Sequence, residues 1–504
     1  MDEIRVLQLG SKDWNEVYSL PPGIRIEHAL TLTKAPEKSR VPYDIVFVER
    51  EPLEEELAFL YQRTKTYCLF VMDKVKLRGK QKEYFERKKG RWIRETEIQD
   101  FLQQEARLFY PKPYGEKFRL GNIEVAQGFD GTVKWNGDYS VELKGEYGEE
   151  FRQIVCWRYN IPVFPGHILD LWLEYRKDPE VEISLTVTKF ANGSISGVID
   201  WREYNEDALQ QVIQLDSGQD GGWLFISLRA RGRGRLQIVA LHDRQSRGKH
   251  GFFLPGGERY VTSAREEIFC YYNPGDRKPP LNVYFSGYKT RQGFEGYYMM
   301  EGMGTPYLLV AEPRLEGGSF YMGSKEYEQM MVDVIRRYME ELGFSSDQVI
   351  MAGLSMGTYG AMYYSCDILP HAIILGKPLA SVGNIAGNLR LHRPGSFDTS
   401  LDVLRYLGGN TDERAVRKLN DRFWDKFDSA DWEHSKFAVA YMIEDDYDSD
   451  AYDTLLSHLA SSGVQVYGKG LHGRHNDDTN GIVSWFVSQY DKILREDFGR
   501  VKRD

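Results

Sequence analysis

Gln348-Val349-Ile350-Met351-Ala352-Gly353-Leu354-Ser355-Met356-Gly357-Thr358-Tyr359-Gly360-Ala361-Met362-Tyr363-Tyr364-Ser365 sets the architecture expected for this chain. An apolar β-prone run enters a G-x-S-x-G pentapeptide, and a stretch able to start a helix leaves it. In a chain with 48 glycines the bare pentapeptide is a weak signal. Strand, tight turn and helix together make it a nucleophile elbow, in which the flanking glycines relieve crowding around a strained, exposed serine. Ser355 is then the candidate nucleophile, and the backbone N–H of Met356, at the helix start, is a candidate oxyanion donor.

Working outward, Asn282 to Phe285, Tyr307 to Ala311, Ala372 to Leu375, Phe437 to Met442 and Val464 to Tyr467 read as further strands. Lys325 to Leu342 follows the i, i+3, i+4 rule of a helix packing one face, with Gly343 where a C-cap belongs. Strands alternating with helices imply a mostly parallel sheet covered on both faces. Val283-Tyr284-Phe285 runs into Ser286-Gly287-Tyr288, which places Gly287 as the second oxyanion donor. Downstream, one strand runs into Glu444-Asp445-Asp446-Tyr447-Asp448 and the last into His472-Gly473-Arg474-His475, each at a carboxyl end, where open α/β sheets place their sites. A serine hydroxyl needs a neutral imidazole to take its proton and a carboxylate to orient that imidazole. His475 is the preferred base with His472 in reserve; Asp445 is the preferred acid, with Glu444 and Asp446 close behind. His-x-x-His could also ligate a metal, but no closed ligand set accompanies it, so neither metal nor bound cofactor is expected.

The rest of the chain has a different rhythm. Ile4 to Leu9, Tyr43 to Val48 and Tyr67 to Met72 read as buried parallel-type strands, with Glu51 to Gln62 a helix between two of them. Leu9-Gly10-Ser11 lacks the later glycines of a dinucleotide loop. From about Gly115 to Arg247 the period becomes two, most strictly at Val181 to Thr188, and several short strands there predict a β-sandwich. Arg229-Ala230-Arg231-Gly232-Arg233-Gly234-Arg235 reads as a hairpin turn between two of them. Trp135 and Trp157 are either core residues or part of a sugar-stacking face. The expected division is a small α/β domain over 1–110, a jelly-roll-like, carbohydrate-binding-like β-sandwich over 111–248, and an α/β-hydrolase-like catalytic domain over 249–504. A length of 504 residues suits about three such units.

Composition excludes several classes. A net charge of -10 argues against generic nucleic-acid binding. Cys68, Cys156, Cys270 and Cys366 are widely spaced with no C-x-x-C, which fits a reducing compartment. A start of Met-Asp-Glu-Ile-Arg and the lack of any long apolar run predict neither a cleaved signal nor a membrane span. Against the overall balance, Lys74 to Arg94 carries ten basic residues and two Glu. That segment is either a solvated face or a surface for anionic lipid or an acidic partner.

GLSMGTYGAMYYSCDILPHAIILGKPLAS, the EDDYD segment and the HGRHND loop resemble the acyltransferase-related component of the accessory Sec system of Gram-positive bacteria, which accompanies export of serine-rich-repeat adhesins. The resemblance is most specific over about residues 250 to 500. It implies a cytoplasmic protein, peripheral to the inner face of the membrane at most, working with two sister accessory proteins and the accessory SecA motor. It further implies O-acetylation of N-acetylglucosamine on the glycosylated adhesin, with support for its export; it places the nucleophile on Ser355 and the histidine on His475 and leaves the acetyl donor unnamed. A carbohydrate esterase, or a non-catalytic binding and chaperone subunit, would carry the same residues.

Overall fold

The computed structural model describes residues 3–32, 41–194, 196–218, 220–314, 318–392 and 400–500. Three hydrogen-bonded sheets follow one another along the chain. The first holds five parallel strands in the spatial order Ile24–Ala29, Ile4–Leu9, Ile45–Val48, Leu69–Met72, Arg91–Ile93. Its three central strands are the apolar runs of the sequence. The two edges escape a hydropathy reading because Ile24–Ala29 carries Arg25, Glu27 and His28, and Arg91–Ile93 lies within the basic segment. The middle of that segment forms the nine-residue helix Gly79–Arg87. Lys74, Lys80, Lys82, Arg87, Lys89 and Arg94 each pair with a carboxylate, while Arg91 lies over the Phe70 ring and meets His250 Nδ1 at 2.7 Å.

In the second sheet ten strands join one network around a single core. The stretch Arg229 to Arg235 does not turn a hairpin; it lies inside one strand, Gly222–Gln245. Gly232 and Gly234 adopt φ of 90° and 141°, and the ladder to Ser140–Trp157 shifts register on both sides of Gly232. Glycines in these conformations form bulges, which bend a strand without ending it. The half before the bend pairs with Val181–Phe190 and the half after it with Ile168–Lys177. Leu224, Ile226, Leu228 and Ala230 on one side, and Leu236 and Ile238 on the other, all reach the same core. Trp157 is buried in that core and Trp135 is half exposed.

The third sheet has eight strands, in the spatial order Gly257–Val261, Glu267–Asn273, Tyr307–Ala311, Leu281–Phe285, Val349–Leu354, Ala372–Gly376, Lys436–Met442, Gln465–Leu471. Counted in chain order this is 1-2-4-3-5-6-7-8. Only the second strand runs antiparallel to its neighbours, the arrangement of an α/β-hydrolase sheet. Its first two strands were not legible, because an antiparallel hairpin of mixed polarity precedes the alternating pattern. Helix Lys325–Leu342 begins at Ser324, whose side chain accepts the Tyr327 N–H, and ends at Gly343 with φ of 71°. It buries Tyr327, Met331, Val332, Val334, Ile335, Tyr338 and Met339, at roughly 1.5–3 kcal/mol for a large apolar side chain. With Met356–Ile368 and Glu413–Asp428 it covers one face of the sheet. Tyr297–Met303 and Thr479–Glu496 cover the other. Among the described residues no helix is long and apolar enough to cross a membrane.

Buried arginines join the sheets. Arg247, at the end of the second sheet, donates to the carbonyls of Leu108, Tyr110 and Phe253 at 2.9, 2.9 and 2.6 Å. From the third sheet, Arg265 donates to Leu173 O and Leu209 O. Arg244 makes a bidentate pair with buried Glu267 at 2.9 and 2.6 Å.

Candidate active site

The fifth strand, Val349–Leu354, delivers Ser355 to the head of helix Met356–Ile368 with φ 53° and ψ -123°. A side chain at positive φ costs of order 1–3 kcal/mol and persists only where its surroundings impose it. Here the Ser355 N–H donates to Gly376 O at 2.8 Å. A Cβ on Gly353 would lie 2.3 Å from the Gly357 backbone, and one on Gly357 would lie 2.1 Å from Phe285 O. No larger residue fits either flank of this turn.

The seventh and eighth strands bring the remaining groups. Ser355 Oγ lies 2.8 Å from His475 Nε2, and His475 Nδ1 lies 2.8 Å from Asp445 Oδ2. With its proton on Nδ1, the imidazole donates to the carboxylate and accepts from the serine. His475 and Asp445 are 3% and 6% exposed, so the contact between them is shielded from competing water, while Ser355 is half-buried. Asp445 Oδ1 accepts the N–H groups of Tyr447 and Asp448 at 2.8 and 3.3 Å, which fixes the carboxylate plane. The Tyr447 ring packs against the imidazole with 4.5 Å between centroids.

The two carboxylates that competed with Asp445, and Asp448 beside them, have separate tasks. Asp446 accepts the backbone N–H of His475 at 3.0 Å and so anchors the loop. Glu444 accepts the Gly473 N–H at 2.6 Å and meets exposed His472 at 3.0 Å; these contacts lower its pKa, the backbone bond more than His472. Neither Glu444 nor His472 joins the Ser355 chain. Asp448 accepts Ala380 N–H and Ser381 N–H, both at 2.8 Å, and burial raises its pKa to about 6. Asp448 thus ties the loop after the sixth strand to the loop bearing Asp445.

Met356 N–H stands at the first position of its helix, where no carbonyl four residues earlier takes it. Gly287 differs from expectation. Its N–H donates to Glu295 Oε2 at 2.6 Å, and Glu295 N–H in turn donates to Ser286 Oγ at 3.0 Å. The anticipated second oxyanion donor therefore holds a carboxylate of the same chain. Nothing in the sequence pattern singles out Glu295, which lies eight residues on in an irregular loop.

Lys377 was equally hidden. It follows the sixth strand at φ 59°, is buried, and its ammonium makes one 3.3 Å hydrogen bond to Thr479 Oγ1. Burial lowers its pKa, opposed by the nearby charges of Asp445 and Glu295. The metal-compatible cluster among the described residues lies elsewhere, at Glu174, His242 and Glu267. There Arg244 and Arg259 already neutralise Glu267.

A family model described as "Asp2: Accessory Sec system GspB-transporter" matches residues 4–500. The Accessory Sec system protein Asp2 of Streptococcus gordonii is 37% identical over 509 residues, covering 99% of this chain and 100% of that one. The protein of the same name from Staphylococcus aureus (strain NCTC 8325 / PS 47) is 36% identical over 513 residues, covering 99% and 98%. Among solved structures, a chain of the Glycosylation Associate Protein (Gap123) complex from Streptococcus agalactiae superposes with a TM-score of 0.87 at 34% identity, covering 99% of this chain and 100% of that one.

Proposed function

The chain belongs to the Asp2 family of accessory Sec system proteins, and from that premise we propose that it is a serine-dependent O-acetyltransferase acting on N-acetylglucosamine of the exported serine-rich-repeat adhesin. The observation that carries this reading is the unbroken Asp445–His475–Ser355 chain, both links 2.8 Å, the acid–imidazole link buried and the serine link half-buried.

In the first half-reaction His475 Nε2 takes the Ser355 hydroxyl proton as Oγ attacks the acetyl carbonyl, and Met356 N–H receives the resulting oxyanion. The tetrahedral adduct collapses as the imidazolium returns that proton to the leaving group, which departs with its bonding electrons and leaves acetyl-Ser355. In the second half-reaction His475 removes the proton of a sugar hydroxyl, whose oxygen attacks the acetyl carbon. Ser355 leaves and is reprotonated. Asp445 holds the tautomer throughout and stabilises the imidazolium.

The decisive experiment is mass analysis of adhesin glycans made with wild-type protein and with Ser355→Ala. Loss of acetylated sugar is expected from the variant; unchanged acetylation overturns the reading. Release of acetate from an activated ester without labelling of sugar would make the protein an esterase instead.

A second activity, support of adhesin export, is favoured by the family match across nearly the whole chain and by the resemblance to a chain of a multiprotein complex. We assign it to assembly with two sister accessory proteins and the SecA motor at the inner face of the membrane. Secretion that persists in Ser355→Ala would separate the two activities; secretion lost with acetylation in a folded variant would merge them.

A further inference from the structure

If Ser355 forms an acyl enzyme as proposed, a carboxylate on the Gly287 N–H stands where the reaction needs an empty donor. The third strand, Leu281–Phe285, is hydrogen-bonded directly to the strand that carries Ser355. A Cβ built on Gly287 would stand 3.1 Å from both Glu295 Oε2 and Leu354 O, so the carboxylate and the backbone of the residue before the nucleophile both crowd the same point beside Gly287. It is held from two directions, by the Gly287 N–H and by the bond from its own N–H to Ser286 Oγ. A negative oxygen developing on the substrate would meet both an occupied donor and a like charge.

The same surroundings offer the carboxylate another place to go. Two ammonium groups lie within electrostatic range of Glu295. Lys289 is half-buried and donates to Phe294 O at 3.0 Å; Lys377 is buried with its single long bond to Thr479. Neither forms an ion pair with a described carboxylate. Burying a cation without a close counter-ion is costly, so a displaced Glu295 exchanges one charge-assisted hydrogen bond for another. Two arrangements of one side chain are thus both provided with partners, as a switch requires.

We propose that Glu295 is an internal competitor for the oxyanion hole, occupying the Gly287 N–H in the resting enzyme and ceding it when an acyl carbonyl enters. Until Glu295 moves, Met356 N–H acts alone. Removing one oxyanion donor typically costs about 10²–10³ in rate, so the resting site is a poor esterase and its acetyl-Ser355 is slow to hydrolyse. Glu295 is a positioning and specificity residue here: it governs whether water can complete the reaction in the absence of the correct substrate.

The test compares wild type, Glu295→Gln and Glu295→Ala, with a phenylboronic acid and p-nitrophenyl acetate as probes. The boronate adds to Ser355 and places a negative oxygen in the oxyanion hole. Boronate binding is expected to tighten about ten-fold in both variants, an effect of the size of one charge-assisted hydrogen bond. Turnover of p-nitrophenyl acetate should rise by a similar factor with KM little changed, and the half-life of acetyl-Ser355, read by intact mass, should shorten. Unchanged or weaker boronate binding in Glu295→Gln, at unaltered melting temperature, overturns the proposal and makes Glu295 a strut of the loop. Loss in Glu295→Ala with full rescue in Glu295→Gln overturns it in the same way. If wild type and Ser355→Ala bind boronate equally, the acyl-enzyme reading itself has failed, and the inference about Glu295 falls with it.

Discussion

The chain contains one parallel and one mostly parallel sheet whose carboxyl ends have opposite fates. In the five-stranded sheet the strand order reverses between Ile4–Leu9 and Ile45–Val48, the switch point where open α/β folds offer a crevice to a ligand. That crevice is filled by the protein itself. Gln8 is fully buried and its amide donates to Glu49 and to Lys12 O, while its oxygen accepts Trp14 N–H at 3.1 Å. In the eight-stranded sheet the same end carries a strained serine, a shielded imidazole and the displaceable carboxylate of Glu295. Fold position alone makes no site. What differs is whether the polar groups at the strand ends are satisfied by partners that stay or by partners able to leave.

The sharpest way to break this contrast is to disable the site of the eight-stranded sheet without unfolding it. Asp445→Asn should lower acyl-enzyme formation by about 10⁴, because the amide favours the wrong imidazole tautomer. Glu444→Gln and His472→Ala should each stay within about two-fold. Burst kinetics with an activated acetyl ester checks all three, and a large loss in Glu444→Gln would return the acid role to the exposed carboxylate.

A smaller effect concerns pH. Burial raises Asp448 to about 6 from an ordinary value near 3.8, so between about pH 4 and 6 the folded protein holds a proton that the unfolded chain has released. Stability should therefore fall as pH rises through that window and level off above it. Asp448→Asn should flatten the fall, measured as denaturation midpoints at pH 4.5, 5.5 and 7; an unchanged slope would show that other groups set it.

The smallest expected effect lies in the first sheet. Burial also raises the Glu49 pKa, against the Gln8 hydrogen bond. Glu49→Gln should leave ester turnover unchanged and alter stability by less than about 1 kcal/mol. A change in turnover would mean that the two sheet ends communicate.

Much of the eight-stranded sheet's machinery was legible because it is local in sequence. Ser355 sits between two glycines after an apolar strand, and Asp445 and His475 follow the last two strands of the series. Even so, Asp445 stood only narrowly ahead of Glu444 and Asp446 until geometry gave each of the three its own partner. Glu295 and Lys377 were invisible, since neither lies in a periodic element and each matters only through what it faces. The first sheet's edge strands were missed because edges carry charge. The hairpin expected at Arg229–Arg235 failed because glycines mark bends as well as turns, and only the apolar positions continuing on both sides reveal a strand that runs on. The basic segment kept its composition, but six of its cations are spent on carboxylates. Exposed pairs of this kind are worth about 0–1 kcal/mol each, so an anionic partner could exchange for them at little cost.

Arg247 has a mechanical meaning. One guanidinium reads carbonyls from the end of the first unit, at Leu108 and Tyr110, and from the start of the third, at Phe253, while its own backbone belongs to the second. Pulling the first unit away strips the guanidinium of two carbonyl partners, and pulling the second away strips it of all three. A chain tied at such a point should melt in a single calorimetric transition and resist release of its parts by proteases. A tug on the first sheet should then be felt at Ser355 as displacement of a whole body and not as slack in a hinge.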